Sequence, residues 1–429
     1  MRLGGRLAAA IEVLTDMEAR HRPAAEALKD WGLSHRFAGA GDRAAIGNIV
    51  YDALRRKRSA GWLAGSDTPR GMALGALALE NGMSAADIAA ALDGDRFAAK
   101  PPTADEVEAL SLRRLVDAPA LIQADCPDWC EPLLRETFGE DWIEEAAALA
   151  ARPPLDMRVN TLKSDGDRVL SELKPTGAHP TAIAPLGLRI APIEGAGRHP
   201  NVQVEPAFQK GWFEVQDEGS QMAAALAGAA PGMQVLDYCA GAGGKTLALA
   251  ASMANKGQIF AHDADKSRLA PIFDRLKRAG VRNAQVVAGA AGLSGHEGQM
   301  DLVLIDAPCT GSGTWRRRPD AKWRLTDRQL EIRTGEQAEI LRSASRFVKP
   351  GGRLVYVTCS VFDAENGSQI DRFAAENPGF APVDHTAHFE KTFLGQSDKA
   401  RIDPARGIVL SPHRTGTDGF FVAVLQRSL

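Results

Sequence analysis

The sequence of 429 residues predicts an α/β protein built around a parallel, doubly wound sheet, preceded by a helical region and a small α+β module. Two observations predict this fold. In the second half of the chain, short apolar runs alternate with longer helix-compatible stretches, which is typical of a parallel sheet covered by helices on both faces. In the first third of the chain, apolar residues recur instead at helical spacing.

The helical region is predicted from periodicity and from one helix-start signal. Leu7, Ile11 and Leu14 lie three or four residues apart, so that they share one face of a helix. Ser84 followed by Asp87 predicts a capping box, because each side chain can accept a hydrogen bond from the backbone N–H of the other residue. We expect this helical domain to occupy residues 1–145.

Strands are predicted from short apolar runs bounded by Gly and Pro. Two such runs, 157–160 and 188–190, predict a small α+β module over residues 146–222. The runs that predict the main sheet, over residues 223–429, are 235–237, 258–261, 285–287, 302–305, 354–357 and a last strand at 419–425.

Composition excludes several classes of protein. A formal net charge of −3 argues against a generally basic surface that coats nucleic acid, although a local basic patch could still bind it. Five cysteines are too few, and odd in number, for a disulfide framework. No stretch approaches the ~20 apolar residues that span a bilayer. We therefore expect a cytoplasmic, monomeric protein with reduced thiols and no membrane partner.

A loop of small residues after the first main strand predicts a nucleotide-type cofactor site. The loop runs from Asp237 to Thr246 and opens a helix, so that backbone N–H groups can approach a ligand closely. Asp263 ends the second strand, where a carboxylate can accept hydrogen bonds from ribose hydroxyls. These residues alone would equally suit a dinucleotide-binding oxidoreductase. An ATPase is disfavoured because Gly241 to Gly244 lie too close together for a P-loop.

Two cysteines follow neighbouring strands of the predicted sheet. Asp306 and Cys309 come after the fourth main strand, and Cys359 comes after the fifth. Because the carboxyl ends of parallel strands meet at one edge, we expect these side chains to converge with the glycine loop in one crevice. A thiol there can serve as a nucleophile if its pKa is lowered or a base lies nearby.

With these motifs the chain resembles the bacterial members of the RsmB/NOP2/NSUN family of RNA cytosine-C5 methyltransferases. The matching segments lie between Pro127 and the C-terminus, and they are 158–163, 215–221, 239–246, 306–311, 358–360 and 417–421. The N-terminal residues, especially 36–39 and 55–58, resemble the NusB-like helical domain of bacterial rRNA members. The resemblance implies a Rossmann-like class I methyltransferase domain that uses S-adenosylmethionine to methylate RNA. The expected substrate is rRNA of the small subunit.

The resemblance also implies roles for individual residues. Cys359 would be the nucleophile, and Cys309 would assist product release. The chemistry itself indicates that the thiolate adds to cytosine C6 and that a carboxyl group such as Asp306, near N3 and the exocyclic amine, would stabilise the activated ring. Lys245 would support Asp306 or the base. The residues expected around the cofactor are Cys239, Ala240, Gly241, Ala242, Gly243, Gly244, Lys245, Asp263 and Asp306. This sequence departs from the family at Ala290, where relatives carry an acid near the adenine, and at Ala242, where many have Pro.

RNA contacts are expected at two places. Arg158 and Asn160 lie in the segment of the small module that matches the family. Arg316, Arg317 and Arg318 follow the Asp306 segment, flanked by two tryptophans, and could combine phosphate contact with base stacking. An exposed arginine-rich turn is the alternative for that run.

Other interpretations stay open at this point. The same active site could act on tRNA or another RNA, or the chain could be a non-catalytic rRNA-binding assembly factor that kept the fold. An oxidoreductase would leave both cysteine motifs unexplained. Cys126 and Cys130 have no His or Cys partner at metal spacing, so we expect them to be structural and expect no metal site.

Overall fold

The computed structural model describes residues 1–195 and 197–429, with the side chain of Ala290 also left out. The chain forms two compact units. The helical unit comprises Met1–Pro153, Pro192–His199 and Trp315–Leu325, and the α/β unit comprises Pro154–Ala191, Pro200–Thr314 and Thr326–Leu429. The boundaries expected between three domains, after residues 145 and 222, remain a prediction.

The helical unit confirms the all-α expectation for the start of the chain. Its helices, numbered along the whole chain, are α1 Leu3–Arg20, α2 Ala24–Ser34, α3 Ala40–Arg55, α4 Lys57–Ala64, α5 Pro69–Asn81, α6 Ala85–Leu92, α7 Ala104–Leu112, α8 Ala120–Gln123, α9 Glu131–Phe138, α10 Trp142–Leu149 and α17 Pro319–Arg324. Leu7 and Leu14 pack in one buried core with Ile46. The capping box is present, since Ser84 and Asp87 exchange hydrogen bonds at the start of α6. Within the described ranges, no helix is long and apolar enough to cross a membrane.

The α17 segment packs inside the helical unit, although it follows the Asp306 segment in sequence. Trp323 Nε1 donates to the Leu54 carbonyl at 2.6 Å. Lys322 is almost fully buried, and its ammonium donates to the carbonyls of Arg55 and Asp125. Burial lowers the pKa of Lys322 to about 8. These contacts make the segment part of the helical core rather than an exposed turn.

The α/β unit contains a small antiparallel sheet that corresponds to the predicted α+β module. Its strands are β1 Leu155–Val159, β2 His179–Pro180, β3 Gly187–Ile190 and β4 Phe213–Val215, in the order β2-β3-β1-β4. The helices that follow or separate them are α11 Gly166–Leu173, α12 Pro206–Gln209 and α13 Glu218–Leu226. The first and third strands confirm the two apolar runs predicted here.

The main sheet is parallel at its centre and antiparallel at one edge. Its strands are β5 Gln234–Asp237, β6 Gln258–Asp263, β7 Ala284–Ala288, β8 Met300–Asp306, β9 Val348–Thr358, β10 Phe380–Pro382, β11 Arg401–Asp403, β12 Gly407–Leu410 and β13 Phe420–Arg427. The order is β11-β12-β13-β9-β8-β5-β6-β7, with β10 paired to β13. Strands β5 to β9 pair in parallel, and β13 runs antiparallel to β9.

Helices cover both faces of this sheet, as expected for a doubly wound fold. They are α14 Gly244–Ser252, α15 Lys266–Leu269, α16 Ile272–Ala279, α18 Asp327–Ser345, α19 Gly367–Glu376 and α20 His385–Thr392. Alternate residues of β8 enter different cores: Leu302 and Leu304 lie in one, Val303 and Ile305 in the other. Both faces of the strand are therefore buried, which is why it reads as an unbroken apolar run.

Candidate active site

The predicted site residues meet at the carboxyl edge of the main sheet. Strands β5, β6 and β8 end at Asp237, Asp263 and Asp306, and β9 ends at Thr358, one residue before Cys359. Because these four strands are parallel neighbours, the loops that follow them leave the sheet on the same side. The glycine loop, both predicted catalytic cysteines and both predicted carboxylates, Asp263 and Asp306, thus share one edge.

The loop between β5 and α14 needs glycine for both conformation and space. Gly241 and Gly243 have φ angles of +50° and +83°, in the left-handed region that other residues rarely adopt. A Cβ on Gly243 would also lie 2.5 Å from Ile272 Cγ1. A Cβ on Gly244, the first residue of α14, would meet nothing within 4 Å. The loop therefore leaves open space beside backbone N–H groups of the helix start.

Asp263 binds the same loop from the neighbouring strand. Its Oδ2 accepts a hydrogen bond from the Gly241 N–H at 3.0 Å, and its Oδ1 accepts one from Asp265 at 2.9 Å. Arg268 lies 3.5 Å from Oδ2. Each carboxylate oxygen has a second lone pair, so this side chain can accept further hydrogen bonds from a ligand.

Asp237 was not among the predicted site residues, yet it is fully buried at the end of β5. Its Oδ2 accepts a hydrogen bond from Thr246 Oγ1 at 2.7 Å, whereas Oδ1 has no protein partner among the described residues. Burial raises the pKa of Asp237 to about 7. A buried carboxyl group with one oxygen unpaired favours its protonated form.

The Asp237→Asn variant should therefore change how stability depends on pH. The folded carboxyl keeps its proton up to about pH 7, whereas the unfolded one loses it near 3.8. Between these values the folded chain binds more protons, so rising pH lowers the stability of the wild type relative to the variant. The relative free energy of unfolding should fall by up to about 4 kcal/mol between about pH 4 and pH 8.

Urea unfolding at several pH values measures this difference. Asp165→Asn is a suitable control, because Asp165 caps α11 from an exposed position. The same series on this variant shows how much an exposed Asp→Asn change alone contributes over that range. A constant difference for Asp237→Asn would show that the folded carboxyl titrates like the unfolded one.

Lys245 and Asp306 form an ion pair across the loop. Lys245 Nζ lies 2.7 Å from Asp306 Oδ2, with the lysine side chain 6% exposed and the aspartate side chain 37% exposed. The ammonium also lies 5.3 Å from the centre of the Phe420 ring. The buried Lys245 ammonium thus pairs with Asp306, while the Asp306 carboxylate is exposed enough to bind a ligand.

Cys309 and Cys359 are in direct contact. Their Sγ atoms are 3.3 Å apart, within hydrogen-bond distance for sulfur. This hydrogen bond, followed by burial, raises the pKa of Cys309 well above its ordinary value. Cys309 therefore keeps its proton at neutral pH and can donate it to the neighbouring sulfur, although either sulfur of the pair can be the donor. Burial also raises the pKa of Cys239, so that thiol stays protonated as well.

Polar residues that the sequence analysis missed hold together the loop after β8, which carries Cys309 (the Cys309 loop), and the loop after β9, which carries Cys359. Ser312 Oγ lies 2.9 Å from Ser360 Oγ and accepts a hydrogen bond from the Val361 N–H at 2.9 Å. The Gly313 N–H donates to the Cys359 carbonyl at 3.0 Å. Glu365 accepts a hydrogen bond from the Thr310 N–H, and Gln337 donates one to the Pro308 carbonyl, so both bind the chain next to Cys309. Apart from Ser360, which lies in the matching segment 358–360, no motif in the sequence marks these residues, because their partners lie 28 to 55 positions away.

The structure corrects the expected RNA contacts of the small module. Arg158 is buried, and its Nε donates to Gln216 Oε1 at 2.7 Å. Burial lowers the pKa of Arg158 to about 10. Asn160 is also buried, and its amide donates to the carbonyls of Gly211 and Ala279, each at 2.8 Å. Both side chains are used inside the protein, so neither is available to RNA.

The expectation that Arg316, Arg317 and Arg318 contact RNA is corrected in part. Arg316 is buried in the helical unit with Trp315, and its carbonyl accepts a hydrogen bond from Arg55 Nε at 2.9 Å. Neither side chain is available for phosphate contact or stacking. Arg317 is partly exposed and Arg318 is exposed, so an RNA contact there stays a prediction.

Two departures from the family pattern bear on the cofactor site. The side chain of Ala290 lies outside the described residues; its backbone begins a 3-10 turn, Ala290–Leu293, directly after β7 and Gly289. Ala242 leaves the loop fold intact, and its carbonyl accepts a hydrogen bond from Arg275 at 2.8 Å.

The sheet order, the antiparallel last strand and the small-residue loop define a Rossmann-like methyltransferase fold. Two crystal structures are similar to this chain. PH0851 is 27% identical with a TM-score of 0.73 over 100% of each chain. A methyltransferase homologue from Pyrococcus horikoshii is 28% identical with a TM-score of 0.57, over 72% of this chain and 97% of the other.

The chain belongs to the RsmB/F family of methyltransferases. Residues 224–426 match the model of the 16S rRNA methyltransferase RsmB/F, and residues 126–192 match the ferredoxin-like domain of RsmF/B-like methyltransferases. A probable ribosomal RNA small subunit methyltransferase B of Synechocystis sp. is 33% identical over 71% of this chain and 68% of its own length. The Klebsiella pneumoniae enzyme of that name is 35% identical, over 70% and 65%. The chain thus spans about two thirds of these relatives.

Proposed function

We propose that this protein uses S-adenosylmethionine to methylate carbon 5 of a cytosine in RNA, with small-subunit rRNA as the substrate and Cys359 as the covalent nucleophile. One observation carries the proposal: Cys309 Sγ and Cys359 Sγ lie 3.3 Å apart at the sheet edge where Lys245 pairs with Asp306. Two thiols and a carboxylate at one edge match the chemistry that this methylation needs. The choice of rRNA rests on the names of the relatives.

The residues present fit the cofactor. Gly244 and the uncapped start of α14 leave space for a ligand beside backbone N–H groups, and Asp263 can accept hydrogen bonds from ribose hydroxyls. The Asp306 carboxylate is partly exposed at the same edge. When bound, S-adenosylmethionine supplies an electrophilic methyl group. The chain would hold it with Cys239, Ala240, Gly241, Ala242, Gly243, Gly244, Lys245, Asp263 and Asp306.

Attack on the ring requires an anionic sulfur. The Cys309 sulfur lies within hydrogen-bond distance of Cys359, so a protonated Cys309 can donate to the sulfur that attacks the ring. The Cys359 thiolate forms a bond to cytosine C6, the C5–C6 π electrons move into the C4–C5 bond, and the proton that left the Cys359 thiol ends on N3. The product is a neutral enamine, whose C5 would take the methyl group and displace the sulfur of the cofactor as a thioether. Asp306 can bind the exocyclic amine and the protonated N3 as charge builds up there, and Lys245 holds its carboxylate in place.

Release reverses the addition. A base removes the C5 proton, the electrons restore the C5–C6 double bond, and the Cys359 sulfur leaves C6 with its electron pair. Once Cys359 is bonded to carbon, its sulfur is a thioether rather than an anion. Cys359 then no longer takes part as a thiol in the 3.3 Å contact with Cys309, so the Cys309 proton can pass to solvent and the resulting thiolate can take the C5 proton.

Replacing Cys309 with alanine should therefore block release but not attack. In the presence of S-adenosylmethionine, a covalent protein–RNA adduct should accumulate that survives denaturing electrophoresis and disappears when Cys359 is also replaced. Cys126→Ala, which removes a buried thiol of the helical unit, is the control and should leave no adduct. Normal turnover by Cys309→Ala without an adduct would exclude the release role.

Bisulfite sequencing of total RNA tests the proposed function as a whole. RNA from cells with the gene should contain a protected cytosine that becomes convertible when the gene is deleted, and a copy of the gene should restore it. A site in small-subunit rRNA supports the proposal, and a site in tRNA would change its substrate. Identical maps with and without the gene, together with no activity of the purified protein, would contradict it.

A further inference from the structure

A buried carboxylate lies beside the cysteine pair and takes no part in the chemistry described above. Glu365 is fully buried in the short turn that follows β9. Its Oε1 accepts hydrogen bonds from the Thr310 N–H at 2.8 Å and from Gln337 Nε2 at 3.0 Å. Its Oε2 accepts one from Thr310 Oγ1 at 2.5 Å. Three donors thus satisfy a group that would be costly to bury alone.

These bonds fix the chain on both sides of Cys309. Glu365 binds Thr310, the residue that follows Cys309. Gln337, which is bonded to Glu365, also donates to the carbonyl of Pro308, the residue that precedes Cys309, at 3.0 Å. The position of the Cys309 sulfur therefore depends on this pair of buried side chains from α18 and from the turn after β9.

Cys359 is held by different contacts. It follows Thr358, which is in register with Phe421 of the neighbouring strand β13. Its carbonyl accepts a hydrogen bond from the Gly313 N–H at 3.0 Å. Loss of the Glu365 side chain would thus leave the nucleophile supported by the sheet and by Gly313, while the residues directly before and after Cys309 lose their anchors.

The turn that carries Glu365 is itself anchored. Tyr356 is buried in β9, and its hydroxyl donates to the Glu365 carbonyl at 2.8 Å. Asn366 is also buried and donates from its amide to the Ser360 carbonyl at 2.9 Å. The carboxylate is therefore held in a fixed position against the Cys309 loop, which is what a group that positions another side chain requires.

We propose that Glu365, together with Gln337, is a positioning residue for the release step: it holds the Cys309 loop so that the Cys309 sulfur stays against the adduct on Cys359. The inference rests on the proposed function. Displacement of a reacting group by about 1 Å can slow a step on the order of 10²-fold. The step slowed here is release, while the formation of the Cys359–C6 bond is largely kept.

The test compares three variants of the pair, with Cys309→Ala and Cys359→Ala as references and a matched control, against wild type on total RNA from cells that lack the gene, with S-adenosylmethionine. Glu365→Ala should accumulate the covalent adduct as Cys309→Ala does, with turnover reduced on the order of 10²-fold and one methyl transfer per protein retained. Gln337→Ala should do the same to a smaller extent. Glu365→Gln should restore release, because an amide keeps an acceptor for Thr310 and Gln337 and can donate to the Thr310 hydroxyl.

The matched control is Glu218→Ala. Glu218 is equally buried in the α/β unit and accepts backbone hydrogen bonds from Ile183 and Ala184 at 2.8 and 2.9 Å, but it lies outside the cysteine loops. Its loss should lower stability without trapping RNA. If Glu365→Ala fails to fold, as judged by circular dichroism, the adduct level of Gln337→Ala decides whether the inference holds.

The outcomes separate the two proposals. An adduct in Glu365→Ala or Gln337→Ala but not in Glu218→Ala supports the inference. If the wild type methylates and Cys309→Ala traps RNA, but Glu365→Ala and Gln337→Ala release it normally or lose attack and release together, the inference is wrong and the proposed function stands. If Cys359→Ala still methylates RNA, the proposed function itself is wrong.

Discussion

Replacing Cys359 with alanine is expected to abolish methylation, with a loss of more than about 10⁴-fold in turnover. Alanine cannot add to C6, and without that bond C5 is a poor nucleophile toward a methyl group. Tritium transfer from labelled S-adenosylmethionine to RNA measures the loss. The same variant should fail to be trapped on RNA that contains 5-fluorocytosine, on which the wild type should form a stable adduct because fluorine at C5 cannot be removed as a proton.

Two comparisons make this result specific to Cys359. Cys126→Ala removes a buried thiol from the helical unit and should retain both activities. Cys309→Ala should lose turnover but keep the ability to form an adduct. Both cysteine variants should therefore lack turnover, and only Cys309→Ala should be found covalently bound to RNA. Retained methylation by Cys359→Ala would rule out the covalent route through this residue. An adduct that moved to Cys309 would reverse the assigned roles.

The centre of the fold could be predicted from the sequence because its strands are buried on both faces. The run Leu302–Ile305 is apolar at every position, since alternate residues enter two separate cores. Strands β10, β11 and β12 were not predicted. They are three or four residues long and lie at the antiparallel side of the sheet, where a short segment has too little pattern to distinguish it from a loop.

The location of the site could be predicted for the same reason, because strand ends in a parallel sheet meet at one edge. The errors concern polar residues whose burial is set by distant partners. Asn160 is bonded to a carbonyl 119 positions away, and Arg158 to a side-chain oxygen 58 positions away. Arg316 follows the Asp306 segment in sequence but lies in the core of the helical unit. No local pattern distinguishes such residues from exposed cations.

Replacing Lys245 with methionine is expected to lower methyl transfer on the order of 10²-fold to 10³-fold, the usual effect of removing one preorganised charge from an active site. Methionine has a similar length and keeps the contact with the Phe420 ring, but it leaves the Asp306 carboxylate without the cation 2.7 Å away. That carboxylate is then free to turn away from the ring it would stabilise. Single-turnover methylation with saturating S-adenosylmethionine measures the effect.

The chain offers a matched control for this variant at the other end of β8, the strand that ends at Asp306. Lys349 at the start of β9 pairs with Asp301 at the start of β8, where the lysine side chain is 45% exposed. A surface ion pair contributes about 0–1 kcal/mol, so Lys349→Met should methylate at the wild-type rate. Asp306→Asn should lose about as much activity as Lys245→Met, and the double variant little more, because the two side chains act as one unit. Additive losses would mean that Lys245 acts independently of Asp306.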